Sequence, residues 1–162
     1  METESEILTG MVAVAQEYCG LIERMEEEGG DWLKRLSRLL PRLHAAVDAL
    51  ASCADETVQA PMLDLDTRFE LYNHLRQRLG DRDSYWMEFD AIGQQHMSGS
   101  LADDLTDIYF DLKHGLELLK EAWPQQAAAL WKSSYRLHWG QHLVDAERHL
   151  YSLKIRNQLE LS

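Results

Sequence analysis

Twenty-six of the 162 residues are leucine, against five valine, five isoleucine and five threonine. That ratio constrains the fold more than any motif in the chain. Straight-chain side chains lose little rotamer freedom in a helix, whereas β-branched ones lose more, so the chain reads as all-α. Its length suits one domain over residues 1–162 with a single core. Two cysteines cannot build a disulfide framework.

Apolar spacing locates the helices. Ile7, Met11, Val14, Tyr18, Leu21 and Met25 recur at steps of four and three, and Leu8, Val12, Ala15, Cys19 and Ile22 run beside them. A first helix over about residues 4–27 therefore has a wide buried face, which suits a homodimer as well as a monomer. Gly29-Gly30 ends it, and Asp31 stands as N-cap for a second helix carrying Trp32, Leu36, Leu39, Leu43, Val47 and Leu50 inward. Pro41 removes a backbone donor there, so a kink or break is expected. Residues 54–66, with Pro61, read as a loop. A shorter helix capped by Asp66 or Thr67 follows, with Phe69, Tyr72, Leu75 and Leu79 inward. Residues 84–99 are ambiguous between a helical turn and a lid carrying Tyr85, Trp86 and Phe89. The fourth helix begins at a Ser98 or Ser100 cap, and Pro124 opens a long last helix to about residue 157. The expected architecture is an up-and-down bundle of four long helices plus one or two short ones.

Charge narrows the function. The formal net charge of −12 argues against a nucleic-acid binder that neutralises phosphates. No run of 18 apolar residues occurs, so no membrane span is expected. Residues 1–9 carry Glu2, Glu4 and Glu6 without a Lys or Arg, unlike the cationic start of a secretory signal, and a cytoplasmic location is the expectation. The first 30 residues hold eight acids and one base, whereas residues 31–53 hold two acids and four bases, so the first two helices are electrostatic opposites. Lys34, Arg35, Arg38 and Arg42 form a basic strip that either docks an anionic partner or is a solvated face.

One polar stripe stands out. On the last helix His138, His142, Asp145 and His149 fall within a sector of about 60° at 3.6 residues per turn, beside an apolar row through Trp139, Leu143 and Ala146. On the fourth helix Asp104, Asp107, Asp111 and His114 share a sector of about 80°. If these rows face each other, they admit a divalent metal held by Asp104, Asp107, Asp111, His114, His138, His142 and Asp145. They also admit an interhelical hydrogen-bond network in which Asp104, Asp107 and Asp111 hold His138, His142 or the Trp131 and Trp139 indoles. A third reading is an exposed stripe that is solvated or meets a partner. The Glu-x-x-His pattern of duplicated di-metal bundles is absent, its nearest counterpart being Asp111-x-x-His114.

Other chemistry finds little support. Cys19 and Cys53 read as structural thiols. Ser133 and Ser134 lie near His138 without an oxyanion hole, and there is no glycine-rich phosphate loop. Gly115 and Gly140 sit inside helices, where each costs about 1 kcal/mol relative to Ala, so close helix approach or a kink is expected at each. Trp131 and Trp139 fall about 80° apart on an ideal helix, which would let one face the core and the other line a pocket, although core packing is the stronger expectation.

Ser100-Leu101-Ala102-Asp103-Asp104-Leu105-Thr106-Asp107-Ile108-Tyr109, Asp111-Leu112-Lys113 and His138-Trp139-Gly140 resemble a bacterial helical family catalogued as domain of unknown function 5063. The similarity spans roughly residues 65–153. It implies a small, all-helical bacterial protein and brings no activity or cofactor. The sequence therefore points to a non-enzymatic interaction or accessory protein, with a metal-binding bundle of hydrolytic or redox activity as the alternative.

Overall fold

The computed structural model describes residues 1–53, 62–87, 92 and 97–161. Its architecture is an all-α bundle, as the leucine ratio and the spacing require. The helices are α1 (Glu4–Glu23), α2 (Trp32–Ala49), α3 (Leu65–Leu79), α4 (Leu101–Lys120), α5 (Pro124–Ser134) and α6 (Gly140–Ile155). The last two are joined without a break by a π turn, Tyr135–Trp139. A two-stranded antiparallel ribbon pairs β1 (Ser84–Trp86) with β2 (Ser98–Ser100). Helix α4 is the centre of the assembly and packs against α1, α3, α5 and α6, while α2 closes on α1 and α6.

Local chemistry explains the boundaries. Thr3 and Glu6 close a capping box on α1, and Ser100 caps α4 by accepting from the Asp103 amide. Both predicted rows of α1 enter the core through Met11, Val14, Ala15, Tyr18, Cys19 and Ile22. The Tyr18 hydroxyl donates to the Leu105 carbonyl and the Trp32 indole to the Leu21 carbonyl, so each buried aromatic satisfies its polar atom. The opposed charges of α1 and α2 meet as Arg42–Glu17, with Arg35 reaching Glu28 just beyond α1.

Several expectations need correction. Helix α1 stops at Glu23, four residues early, where the Arg24 amide closes on the Gly20 and Ile22 carbonyls. Helix α2 runs through Pro41 without a break. Asp31 occupies the N-cap of α2 but makes no capping bond. The cap of α3 is Asp64, which accepts from the Asp66 amide and the Thr67 hydroxyl. Of the four side chains expected inward on α3, Leu75 and Leu79 are buried and Tyr72 is half-buried, but Phe69 is 61% exposed. The segment after residue 83 starts and ends as the ribbon rather than a helical turn; Phe89 and Pro61 lie outside the described residues. Core packing of Trp131 and Trp139 does hold, both being fully buried despite their expected offset. The π turn is the reason: wider than an α-turn, it rotates roughly 18° less per residue, about 90° over five residues, which cancels the 80° offset.

Gly115 and Gly140 are both sites of close approach. A Cβ at Gly115 would lie 2.2 Å from the Trp131 indole, and one at Gly140 would lie 2.4 Å from the Tyr135 carbonyl oxygen. Gly140 donates its amide to that same carbonyl, closing the π turn. Among the described residues no helix is long and apolar enough to cross a membrane.

Candidate metal centre

The carboxylate row of α4 and the histidine row of the π turn and α6 do face each other. Asp107 lies at the middle, buried, with two imidazoles turned toward it. His142 places Nε2 3.0 Å from Asp107 Oδ2, and its Nδ1 is 2.8 Å from Asp104 Oδ1. His138 places Nε2 3.7 Å from the same Asp107 oxygen, and its Nδ1 is 2.6 Å from Asp111 Oδ2. Each ring is thus held by one nitrogen on its own carboxylate and presents the other to a shared oxygen. The two rings meet edge to face, 5.2 Å between centroids.

Side chains from other elements hold this arrangement. Arg68 on α3 donates from Nε to Asp107 Oδ1 at 2.9 Å and from a terminal nitrogen to Asp103 Oδ1 at 2.7 Å. That occupies one Asp107 oxygen and leaves the other to the imidazoles. The Tyr85 hydroxyl on β1 donates to Asp104 Oδ2 at 2.5 Å, and its ring stacks on His149 at 4.7 Å. His149 in turn lies 2.6 Å from the Arg82 carbonyl. Asp83 fixes the start of α4 by accepting from the Ala102 amide and the Ser100 hydroxyl.

The electrostatics follow from burial and partners. For His142 burial opposes the charge, but the hydrogen bonds to Asp104 and Asp107 outweigh it and push the imidazole up to about 10. Burial lifts Asp104 and Asp111 above the usual carboxylate range despite their histidine partners. Asp107 experiences the same burial, yet the bonds from His142 and Arg68 hold it below that range.

Asp107, His138 and His142 each offer one donor atom, all within 4.8 Å of one another. Bonds of about 2.0–2.1 Å at tetrahedral angles put neighbouring donors about 3.3 Å apart, and the 3.0 and 3.7 Å separations bracket that value. Asp103, Asp104 and His142 form a second such group. Its carboxylates are already engaged by Arg68 and Tyr85. The centre is open on the His138 side, where that side chain is half exposed.

Of the predicted site residues, Asp104, Asp107, Asp111, His138 and His142 come together. Asp145 does not join them; it accepts from Gln141 one turn earlier. His114 has no hydrogen-bond partner among the described residues. The Trp139 indole donates to Ser134 and the Trp131 indole to the Leu112 carbonyl, so neither is held by a carboxylate. Arg68 and Tyr85 were missed as parts of the centre. Arg68 could be seen only as one of several cations around the third helix, and no spacing rule ties Tyr85, on a ribbon, to a helix row.

A family model described as a domain of unknown function, DUF5063, matches residues 2–156. The crystal structure of protein BF1032 from Bacteroides fragilis is similar, with a TM-score of 0.76, 23% identity and 92% of each chain covered. That likeness speaks to the fold alone. No curated protein matches the chain.

Proposed function

Because the chain belongs to the family described as domain of unknown function DUF5063, which brings no activity with it, we propose a function from the site itself: a helical-bundle protein that holds a divalent transition metal on Asp107, His138 and His142. One observation carries the reading. Both imidazoles use Nδ1 on a carboxylate, Asp104 or Asp111, and aim Nε2 at the same oxygen of Asp107. Metal-ligating histidines characteristically donate their other ring nitrogen to a carboxylate, which fixes the ring and strengthens the donor. Two imidazoles and a carboxylate suit zinc, iron(II) or manganese(II). Arg68 restricts Asp107 to one donor oxygen, and the exposed His138 edge leaves room for a further ligand. Such a site supports Lewis-acid chemistry, with hydrolytic or redox activity to be assayed once the metal is known.

The test is elemental analysis of protein purified without chelator, with melting curves in added Zn²⁺, Mn²⁺ or EDTA. Near-stoichiometric metal is expected. At free metal about 100 times the dissociation constant the gain is about 2.7 kcal/mol, or roughly 5–10 °C for a chain of this size. Asp107→Asn and His142→Ala should abolish the shift. No bound metal and melts indifferent to metal and EDTA would overturn the reading. A second reading would then stand, a charged clasp in a non-enzymatic interaction or accessory protein. The imidazolium of His142 between Asp104 and Asp107 favours it, since breaking a buried pair is costly even where no chemistry occurs.

A further inference from the structure

The basic strip of α2 is not absorbed by the metal centre, and its position is informative. Helices α2 and α6 border a groove of about 600 Å³ that shares no residue with the Asp107 centre. That volume falls in the range of small-molecule sites, about 300–1,000 Å³. Pro41, Leu150 and Leu159 give it an apolar side, with the exposed Tyr151 ring at the edge. Its polar lining is unbalanced in charge. Glu160 is taken by Lys34 at 2.9 Å, and Glu147 by His44 at 2.8 Å. Arg38 and Lys154, on the two facing helices, have no ion pair or hydrogen bond among the described residues. Three cations, Lys34, Arg38 and Lys154, against two carboxylates in one groove run against the charge of a protein with 28 acidic and 16 basic side chains.

We propose that this groove binds a small phosphate monoester, its dianionic head between Arg38 and Lys154 and its apolar body against Pro41, Leu150 and Tyr151. The two facing cations match a doubly charged head better than a carboxylate. Guanidinium and ammonium groups are the usual partners of phosphate oxygens. An apolar wall rewards a ligand with a ring or chain rather than inorganic phosphate. The proposal is independent of the metal reading.

The probe is 1-naphthyl phosphate, titrated by fluorescence into the full chain in EDTA and again into Asp107→Asn, with 1-naphthol and inorganic phosphate as comparison arms. Saturable one-to-one binding is expected in both proteins, with both comparison compounds weaker. Arg38→Gln and Lys154→Gln, both at exposed positions, should each weaken binding about tenfold, the loss of one charge-assisted contact. Lys120→Gln removes the same charge at the end of α4 and should leave binding unchanged. Equal weakening by Lys120→Gln would mean diffuse electrostatic attraction and would overturn the proposal. So would 1-naphthol binding as tightly as its phosphate, or no saturation up to about 1 mM, where the standard binding free energy is only about −4 kcal/mol.

Discussion

Replacing Gly115 by alanine would drive a methyl group into the side of Trp131. The new Cβ would sit 2.2 Å from the indole Nε1 and Cε2 and 2.7 Å from Cζ2. Carbon atoms rest about 3.5–4.0 Å apart, so the ring must move by more than about 1 Å. It has nowhere to go without loss, because Trp131 is fully buried and its Nε1 donates to the Leu112 carbonyl at 3.1 Å. Overpacking costs about 1–3 kcal/mol, and a broken buried hydrogen bond about 1 kcal/mol more. Against this, alanine gains about 1 kcal/mol over glycine inside a helix. The net is about 1–3 kcal/mol of destabilisation, a fall in Tm of roughly 3–10 °C. Gly10 in α1 is the control, exposed and with nothing within 4 Å of a new Cβ. Gly10→Ala should therefore stabilise by about 0.5–1 kcal/mol. Urea denaturation of both variants measures the pair as shifts of midpoint at unchanged slope. Gly115→Ala at or above wild-type stability, with Gly10→Ala behaving as expected, would refute the packing argument.

Three further outcomes are expected. In metal-free protein His142 has its folded value raised to about 10 from an ordinary 6.5. Its proton therefore adds stability that is complete below about pH 6.5 and lost as pH rises through about 10. Urea midpoints in EDTA between pH 6.5 and 10 should fall for wild type and fall less for His142→Gln, and parallel curves would refute this. Removing His142 by alanine strips a partner from both Asp104 and Asp107 and should cost about 2–3 kcal/mol, toward the low end for a broken buried pair because His142 is partly exposed. A His142→Ala/Asp104→Ala cycle with no coupling would show the contact to be energetically idle. Burial pushes the Cys19 thiol up to about 12 against the pull of Lys113, and Cys53 is the more accessible of the two. A thiol reagent at neutral pH should modify Cys53 in the folded protein and reach Cys19 only on unfolding, a difference that quantitation in native and denaturing buffer would show.

The helices were legible because helical spacing is a local code. Met11, Tyr18 and Ile22, or Leu36, Leu39 and Leu43, declare a buried face without reference to anything distant. The same code aligned Asp104 with Asp107 and Asp111, and His138 with His142. It could not say that the two rows meet, since that depends on α4 being central. It could not recruit Arg68 or Tyr85, whose contacts span 39 and 19 residues of chain. The ribbon was hidden because three residues on each strand carry no alternation worth reading. Phe69 failed for another reason: the pattern that marks an apolar face does not say how much of it a neighbour covers.

The π turn makes the centre depend on counting. Helix α5 is held in phase by Trp131 against Gly115, and α6 by Leu143, Ala146 and Leu150 in the core. Between them the wide turn absorbs one residue more than an α-turn would. Ordinary α winding of the same five residues would add about 18° at each and force about 90° of relative rotation between the two halves of the helix. With α5 pinned, His142 would swing off α4. With α6 pinned, Trp131 would leave Gly115. A chain shortened by one residue between Tyr135 and Gly140 would wind as ordinary α-helix and keep the two halves in phase, because four α residues turn about as far as five residues of the π turn.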